Sequence, residues 1–415
     1  MLIETLMQIS GAVLLILFTF LVISNSVIIY SWFKKTKQEK FEPNITVVIP
    51  AYNEQENITT CIQSIKNSNY PKQKMEIIVV DDGSTDSTIK EIKKFKDVKI
   101  LSTKHEGKPN ALNLGIKKAK YEYIVTIDAD TILDKDCIKN LVAPLKNKEV
   151  GATTGTNKIR RKKNLLEHFQ HIEYSYNNLV RKAFSQSFKE GIWFYGAVAC
   201  YKKKVMKKIN YFSNDSLTED MDILFKIQNE GYKTKHAYNA YGYTTAPNTI
   251  KGFIKQRIRW WTGVLQAMGK NKEILKNKKT PPLLFIYASQ WWWSIFSFIA
   301  IPMFTMQVLY WLPYNLETPL MTFSYLFRWF SLSGPIYVIY KIPDWGLSFY
   351  SAFGVLSGLI SVTFILIAIG TFKDKIKIKD AVAIFFYFPF TILLNIVIMI
   401  SVIKYAFNKK GVFKK

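Results

Sequence analysis

Acidic side chains recur at three places along this chain, and a cluster rich in arginine and tryptophan follows them. The four clusters are Asp81-Asp82, Asp128-Ala129-Asp130, Thr218-Glu219-Asp220 and residues 256–260. Paired carboxylates can hold Mg²⁺ or Mn²⁺, which prefer oxygen ligands. A carboxylate within reach of a hydroxyl can act as a general base. The spacing therefore favours a site where a cation, a phosphate group and a proton acceptor meet.

Three apolar runs end where polar residues begin. They are Ile45–Ile49, Glu76–Val80 and Tyr121–Ile127, and the last runs directly into Asp128. The runs are rich in β-branched residues and do not alternate, as is typical of parallel strands covered on both faces. Ligands of such sheets bind beyond the carboxyl ends of the strands. We predict an α/β domain with an open, mostly parallel sheet and its acidic loops at one edge.

Uncharged segments mark the start of the chain. Residues Thr5–Phe33 carry no charge over 29 positions, more than the roughly 20 that cross a bilayer as a helix. The stretch before the run holds Glu4 and no basic residue, which argues against a cleavable signal peptide. Lysines follow the run at positions 34, 35, 37 and 40. The pattern predicts an uncleaved anchor whose N-terminus lies outside.

Four further membrane segments are predicted after Lys279. The second contains Arg328, which would cost about 2.5 to 3.5 kcal/mol at a helix centre unless it faces protein, water or a headgroup. An interfacial or re-entrant segment is the alternative there. We favour a spanning segment, which places the basic tail 404–415 inside and the loop 373–380 outside. The uncharged or nearly uncharged runs are Thr280–Leu316, Thr318–Tyr340, Trp345–Phe372 and Ala381–Ile403.

These segments divide the chain into four parts. We predict an N-terminal membrane helix (1–33), a cytosolic domain (34–248), an amphipathic region (249–280) and a C-terminal membrane region (281–415). Residues 34–280 hold 46 basic and 26 acidic side chains, an excess that suits an acidic leaflet or an anionic nucleotide. A nucleic-acid partner is disfavoured because membrane segments tether this domain on both sides. The cysteines show no metal spacing and are predicted to be reduced thiols.

Two stretches have helical periodicity with one apolar side. Gln256, Arg259, Trp260 and Gly263 fall on one stripe of a helix whose other stripe is apolar. One side can then lie on the membrane interface while the other faces the site. Without the acidic clusters, a basic surface helix with no catalytic role would explain the pattern. Residues Leu165–Phe188 are predicted to form a second interface helix.

In their order, these motifs resemble those of the inverting family 2 glycosyltransferases. The similarity is to the membrane-integrated processive branch, which includes chitin, hyaluronan, cellulose and poly-N-acetylglucosamine synthases. Residues Gly107–Asn113 followed by Asp128–Thr131 are especially similar to the poly-N-acetylglucosamine and chitin synthases. The likeness runs from Pro50 to Trp260, and nearly the whole chain with the flanking membrane segments. It implies a GT-A-type nucleotide-sugar domain inserted between transmembrane helices.

The resemblance also implies roles on the donor side. Asp128 would contact the nucleotide, and Asp130 would bind Mg²⁺ or Mn²⁺. Lys108 would lie near the donor phosphates or sugar, although a solvated loop cation is an equally good reading of its position. Arg259 would bind the diphosphate. The uridine part would be held by Ala51, Tyr52, Glu54, Asp81 and Asp82.

On the acceptor side, the resemblance implies that Asp220 is the general base and that Glu219 orients it or tunes its proton affinity. Trp260 would stack at the acceptor subsite, and Gln256 would hold the loop that covers UDP. Gly196 would let the acceptor approach the backbone. Family members usually carry Cys or Ser beside this glycine, whereas Tyr195 and Ala197 flank it here. The identity of the acceptor therefore stays open.

We expect a multi-pass enzyme of the plasma membrane with a cytoplasmic catalytic domain. It would use a UDP-sugar, best UDP-N-acetylglucosamine, to elongate a β-linked polysaccharide coupled to translocation. Expected partners are a carbohydrate or glycolipid acceptor and membrane lipid, with an accessory subunit left open. Two alternatives remain. One is a glycosyltransferase that adds a single sugar to a lipid, and the other is a transporter that senses nucleotide-sugars without turnover.

Overall fold

The structure is a computed structural model that describes residues 2–34, 40–310, 318–346 and 349–407. Parts of the predicted membrane segments, residues 311–317 and 347–348, lie outside the described residues. So do two of the lysines that follow the predicted anchor, Lys35 and Lys37. The basic tail beyond residue 407 lies outside them as well.

An eight-stranded sheet forms the centre of the predicted α/β domain, in the order β3-β2-β1-β4-β7-β6-β8-β5. Strand β1 pairs in parallel with β2 and β4, β2 with β3, and β6 with β8. Strand β7 is antiparallel to β4 and β6, and β5 is antiparallel to β8. The strands are β1 Ile45–Ala51, β2 Met75–Asp81, β3 Lys99–Ser102, β4 Tyr123–Ile127, β5 Ile132–Leu133, β6 Val150–Ile159, β7 Val198–Lys202 and β8 Lys233–Thr244.

The predicted parallel sheet is found in the half that carries the first acidic clusters. Ala51 is in register with Asp81, so β1 and β2 end at the same edge. The backbone N–H of Asp82 donates to the carbonyl of Ala51 at 2.8 Å and ties the two strand ends together. The other half is mixed because β7 reverses direction between β4 and β6. That reversal was not predicted from the sequence.

Helices cover both faces of the sheet and continue into the apolar ends of the chain. Short 3₁₀ helices lie at Lys72–Lys74 and Ala143–Lys146. The α-helices are α1 Leu2–Trp32, α2 Ile58–Lys66, α3 Thr88–Ile92, α4 Lys108–Lys118, α5 Cys137–Val142, α6 Leu165–Phe188, α7 Lys203–Lys208, α8 Glu219–Asn229, α9 Ile250–Lys270, α10 Ile274–Asn277, α11 Pro281–Tyr310, α12 Pro319–Trp329, α13 Ser333–Trp345, α14 Phe349–Thr371, α15 Ile378–Phe385 and α16 Tyr387–Phe407.

Alternate residues of the strands pack into two different hydrophobic cores. Val47 and Val79 point to one face, where α2 and α5 cover the sheet. Val48 and Val80 point to the other face, and the core there also contains Ile28 of α1 and residues of α11 and α14. The apolar helices at both ends of the chain thus share a core with the catalytic domain.

Helix α6 lies between the sheet and the apolar helices. It begins at the predicted residue with a capping box, in which the Asn164 side chain accepts from the backbone N–H of Glu167 and the Glu167 carboxylate accepts from that of Asn164. These two bonds satisfy backbone donors that have no partner inside the helix. On its flanks α6 contacts α1, α14 and α15 as well as β6 and β8. Its long contact surface explains its periodic apolar side.

Within the described residues, three helical segments are long and apolar enough to cross a membrane: Gly11–Trp32, Pro281–Thr305 and Tyr387–Phe407. Val355–Thr371 is apolar but shorter. The predicted span Thr318–Tyr340 is not one helix, because it breaks into α12 and α13 around Phe330–Leu332. At about 1.5 Å per residue, helices of 11 and 13 residues are too short for a hydrocarbon core of about 30 Å.

Candidate active site

Asp128 and Asp130 lie just beyond the end of β4, as predicted. The backbone N–H of Asp128 donates to the carbonyl of Ala197 at 3.1 Å, which fixes the loop against the segment before β7. The Asp130 carboxylate accepts from the hydroxyls of Thr244 at 3.2 Å and Thr245 at 2.9 Å. These threonines at the end of β8 were missed in the sequence because 115 positions separate the partners. They orient the carboxylate toward the same edge of the sheet.

Lys108 joins the metal motif to the predicted base motif. Its ammonium lies 2.7 Å from Asp128 Oδ1 and 3.0 Å from Glu219 Oε1. Burial lowers the pKa of Lys108, but Asp128 and Glu219 outweigh that effect and raise it well above the usual value. Lys108 therefore stays protonated, and the reading of this residue as a freely solvated loop cation is wrong. The ion pairs bring two distant acidic motifs together.

Asp81 and Asp82 are buried at the ends of β2 and its loop. Asp82 accepts from the backbone N–H groups of Glu106 at 2.8 Å and Gly107 at 2.9 Å, and from the Thr103 hydroxyl. Gly107 has a φ of 89°, a region that favours glycine, and it immediately precedes α4. Asp82 therefore holds the loop that presents Lys108. A direct role in binding uridine stays a prediction for both aspartates.

The other predicted uridine residues lie beside this edge. Ala51 ends β1, and the half-exposed ring of Tyr52 stacks on His105 with centroids 4.0 Å apart. Glu54 accepts from the Asn57 side chain at 2.9 Å, and burial raises its pKa. These side chains line a neighbouring part of the strand-end surface and do not line the large cavity that contains Asp128 and Asp220.

Asp220 is fixed at the start of α8. Its carboxylate accepts from the backbone N–H of Gly196 at 3.1 Å and of Met221 at 2.9 Å. A Cβ on Gly196 would lie only 3.2 Å from the Cβ of Asp220, so glycine permits this close approach. Burial raises the pKa of Asp220 to about 6, and neighbouring Glu219 raises it while Lys108 lowers it. A carboxyl group with this pKa can accept a proton near neutral pH.

Arg181 supports the loop that contains Gly196, and its role was not predicted from the sequence. This fully buried side chain of α6 donates to the Trp193 carbonyl at 2.9 Å and to the Thr154 hydroxyl at 3.2 Å. Its guanidinium carbon lies 3.8 Å from the centroid of the Tyr195 ring. The departure from the family pattern at position 195 is thus matched by an arginine that packs on the tyrosine.

Helix α9 presents Gln256, Arg259 and Trp260 to the cavity. Arg259 is exposed and makes no ion pair with any described residue, so it is available to an anion. The Trp260 ring stacks near Tyr174, with centroids 6.3 Å apart. Gln256 lines the cavity, and its buried Oε1 has no hydrogen-bond partner among the described residues. The structure thus places the predicted stripe at the site.

Arg257, next to that stripe, is a second residue missed in the sequence. It is buried, its guanidinium nitrogen lies 2.7 Å from Glu173 Oε2 on α6, and its carbon lies 4.4 Å from the Trp260 ring centroid. The pair fastens α9 to α6 and supports the tryptophan. No sequence pattern links the two residues, which are 84 positions apart.

A cavity of about 1680 Å³ connects these residues. Lys108, Asp128, Asp130, Glu219 and Asp220 line one end together with Gly196, Arg259 and Trp260. From there the cavity continues between α1, α11, α12, α13, α14 and α16. The site is therefore continuous with the apolar part of the molecule. Trp293 also lines it, whereas Trp291 is largely exposed.

The carboxylates fit a divalent cation that takes most of its ligands from a bound nucleotide. Among the described residues there is no cluster of three or more His, Cys, Asp or Glu side chains suited to a metal. Mg²⁺ in particular is commonly held by one or two carboxylates together with substrate phosphates. Asp130, oriented by Thr244 and Thr245, and its neighbour Asp128 supply such a donor set.

Comparison with known proteins identifies relatives of this chain. The model of glycosyl transferase family 2 matches residues 46–209. A poly-beta-1,6-N-acetyl-D-glucosamine synthase from Staphylococcus epidermidis is 32% identical over 287 residues, 66% of this chain and 68% of the relative. One from Staphylococcus aureus is 32% identical over 251 residues, 59% of this chain and 60% of the relative.

A solved structure shows the same overall fold. It is a mannosyltransferase from Pyrobaculum calidifontis, determined in complex with GDP-mannose and Mn²⁺. The TM-score is 0.64 at 19% identity, and the match covers 97% of this chain and 100% of that structure. The sheet and its surrounding helices are therefore a GT-A-like arrangement. With the sequence relatives, this establishes that the chain belongs to glycosyl transferase family 2 and is similar to its poly-N-acetylglucosamine synthases.

Proposed function

We propose that this protein is a metal-dependent, inverting glycosyltransferase of the plasma membrane. It elongates a β-linked polymer of N-acetylglucosamine from UDP-N-acetylglucosamine, with its catalytic domain on the cytoplasmic side. The names of the curated relatives support the donor and product. Three apolar helices of sufficient length support the membrane location. The proposal extends to the whole chain although the relatives are matched over about 60 to 68% of their length.

One observation carries the catalytic part of the proposal. A single lysine ammonium contacts Asp128, in the motif for the cation and diphosphate, and Glu219, the neighbour of Asp220. Asp220 follows Glu219 directly, and both side chains line the cavity. A donor diphosphate bound beside Asp128 and Asp130 would place its sugar between the two motifs. The acceptor would then approach from the side of Asp220.

The reaction follows from that arrangement as a single displacement. Asp220 takes the proton of the acceptor hydroxyl, whose oxygen forms a bond to C1 of the sugar. The bond between C1 and the diphosphate oxygen breaks, and its electrons leave with UDP. Inversion at C1 converts an α-linked donor into a β-linked product. Arg259, exposed on α9, offsets part of the charge on the departing diphosphate.

A bound Mg²⁺ or Mn²⁺ would offset the rest of that charge. Asp130 would be its protein ligand, and the hydroxyls of Thr244 and Thr245 keep this carboxylate in place. Asp128 faces Lys108 at 2.7 Å and would lie toward the nucleotide. The predicted metal role of Asp130 thus agrees with an oriented carboxylate at the strand end.

The acceptor side has aromatic walls. Trp193, Tyr195 and Trp260 line the cavity close to Gly196, and sugars pack their C–H faces on such rings. The cavity continues beyond them between the apolar helices. We propose this continuation as the route along which a lengthening polymer leaves the site.

The proposal can be tested with the full-length protein in lipid. UDP-sugars are offered in turn with Mg²⁺ or Mn²⁺, UDP release is measured, and the products are sized. We expect a preference for UDP-N-acetylglucosamine and products of many sugars. A product carrying one sugar on a lipid would favour the lipid glycosyltransferase. UDP-sugar binding without UDP release would favour the sensing transporter.

Replacing the base gives the sharper test. Asp220→Asn keeps the size of the side chain and removes the proton acceptor, so kcat should fall by about 10²- to 10⁴-fold while UDP binding is retained. Asp215→Asn is the matched control, because Asp215 is exposed and pairs with Lys270 at the surface. Near-normal transfer by a correctly folded Asp220→Asn protein would refute the base assignment.

A further inference from the structure

Arg328 is a charged residue in an otherwise uncharged stretch. It is the only Asp, Glu, Lys or Arg between Thr318 and Tyr340. It lies in the last turn of α12, where its side chain is partly buried. The guanidinium carbon lies 4.1 Å from the ring centroid of Tyr337 on α13. Arg328 therefore lies between the two short helices, α12 and α13.

The charge of Arg328 has little compensation in the protein. No described carboxylate forms an ion pair with it, and its one charge-stabilising side-chain contact there is the ring of Tyr337. The cation–π contact and the position in the last helical turn each stabilise the positive charge only modestly. An unpaired arginine among apolar helices is unfavourable. A bound anion would supply the missing stabilisation.

Arg328 also lines the cavity that contains the proposed catalytic residues, in the part formed by the apolar helices. The remaining charged residues of the described lining belong to the catalytic domain, α6, α8 or α9. The lining contributed by the apolar helices is mostly hydrophobic, and its polar residues include Ser331 at the turn between α12 and α13 and a few others, among them Ser357, Ser361, Thr391 and Asn395. Apolar residues in this part of the cavity include Trp329, Leu332, Pro335, Val338, Val355 and Ile392.

This combination selects an amphiphilic anion. Free phosphate would satisfy Arg328 but leave the apolar walls bare. A neutral glycan would bring no charge to the arginine. A phosphate with an acyl chain satisfies both requirements, because the head pairs with the guanidinium and the tail covers apolar surface.

We propose that, in the resting protein, Arg328 binds the phosphate of an anionic phospholipid whose acyl chain lies along the apolar part of the cavity. The site is separate from Asp128, Asp130 and Asp220, so lipid binding does not require the transfer reaction. A polymer that lengthens along the same cavity would displace this lipid. The site therefore goes beyond the proposed function and can be tested without any donor.

The test measures lipid retention by the delipidated full-length protein. Dioleoyl phosphatidylglycerol, dioleoyl phosphatidylcholine, inorganic phosphate and a β-linked N-acetylglucosamine oligosaccharide are each titrated without nucleotide. Native mass spectrometry counts bound molecules, and thermal unfolding reports their stabilising effect. We expect phosphatidylglycerol to bind at least tenfold more tightly than phosphatidylcholine and to raise the unfolding midpoint.

Two substitutions at Arg328 and one control locate the site. Arg328→Gln should weaken phosphatidylglycerol binding at least tenfold, whereas Arg328→Lys should keep it within a few fold because the charge remains. Lys341→Gln should bind like the parent protein, since Lys341 pairs with Asp344 and does not line the cavity. All variants should retain UDP binding, which shows that the catalytic domain is folded.

Three results would overturn the proposal. One is undiminished phosphatidylglycerol binding by Arg328→Gln. Another is binding of inorganic phosphate as tight as that of the lipid, which would make the site a simple anion site. The third is saturation by the oligosaccharide in a manner that depends on Arg328 while phosphatidylglycerol does not bind. None of these results bears on whether Asp220 is the base, so the two proposals fail separately.

Discussion

At the scale of single residues, the electrostatics of Asp220 are the main feature of the site. Burial raises the pKa of this carboxyl group to about 6, Glu219 raises it as well, and Lys108 lowers it. A general base works only when it is deprotonated. The protein therefore holds the carboxylate at a proton affinity high enough to accept a proton and low enough to be mostly ionised at neutral pH.

The pH dependence of transfer follows from this pKa. We predict that kcat/KM falls below a midpoint near pH 6, because protonated Asp220 cannot accept the acceptor's proton. In Lys108→Met, the cation that lowers the pKa of Asp220 is gone, so the midpoint should move to higher pH in addition to any loss of rate. Steady-state rates from pH 4.5 to 8.5 measure both profiles. A midpoint that stays in place in Lys108→Met would contradict this coupling.

The positions of the proposed catalytic carboxylates were easier to predict from the sequence than the residues that support them. Asp128, Asp130 and Asp220 could be found because strand-end and motif positions are visible locally. Arg181 and the pair of Arg257 with Glu173 could not, because their partners meet only through tertiary packing. Nor does the sequence show that Asp82 accepts hydrogen bonds from the loop that precedes Lys108.

At the scale of elements, the sequence predicted a helix correctly where its local sequence pattern was strong. The start of α6 was predictable from its periodicity, and its Asn164 capping box agrees. The break between α12 and α13 was not predicted, since the apolar run continues through it. The turn depends on Gly334, where an added Cβ would lie 2.4 Å from the carbonyl oxygen of Arg328. Such a backbone approach has no signature in hydropathy.

The contact between α9 and α8 depends on another glycine. A Cβ on Gly263 would lie 2.5 Å from Thr218 Cγ2 and 2.8 Å from its backbone nitrogen. Thr218 immediately precedes Glu219, so a side chain added at Gly263 would push against the start of α8. The glycine on the predicted stripe therefore sets the distance between the arginine-tryptophan motif and the base.

We predict that Gly263→Ala lowers kcat at least tenfold and leaves UDP binding intact. Overpacking costs about 1 to 3 kcal/mol, more than the gain of up to about 1 kcal/mol from replacing glycine in a helix interior. Transfer assays and thermal unfolding measure the two effects. Gly269→Ala on the same helix is the control, because its Cβ would meet only the hydroxyl end of the Tyr405 side chain. Equal behaviour of the two variants would contradict the role of Gly263.

At the scale of the whole molecule, the catalytic domain is joined to the apolar helices by buried charge as well as by a shared core. Asp380, at the start of α15, is almost completely buried and accepts from Lys162 at 2.8 Å. Its Oδ1 also lies 2.6 Å from His168 Nδ1 on α6. Nearby, Lys158 of β6 pairs with Asp374 at 2.9 Å. These contacts connect β6 and α6 with the segment between α14 and α15. The loop 373–380 therefore lies on the same side as residues 34–248, and the predicted location of this loop on the opposite side is wrong.

The same contacts extend to the edge of the sheet where Asp130 lies. Lys158 is one position before Ile159, which is in register with Thr244, and the Thr244 hydroxyl contacts Asp130. The four-part division of the sequence treated residues 34–248 and 281–415 as successive units. The structure joins them through residues more than 200 positions apart, which local sequence patterns do not reveal.

We predict that Asp380→Asn destabilises the protein by about 3 to 5 kcal/mol, because removing one partner leaves the buried Lys162 charge uncompensated. The thermal unfolding midpoint of the full chain should fall accordingly. Asp344→Asn is the matched control, since Asp344 is exposed in its pair with Lys341 and such surface pairs contribute about 0 to 1 kcal/mol. If both variants unfold at the same temperature, the buried charges do not hold the two parts together.

If Asp380→Asn also loosens the orientation of Asp130, it should weaken Mn²⁺ binding in the presence of UDP. The control variant Asp344→Asn should not show this effect.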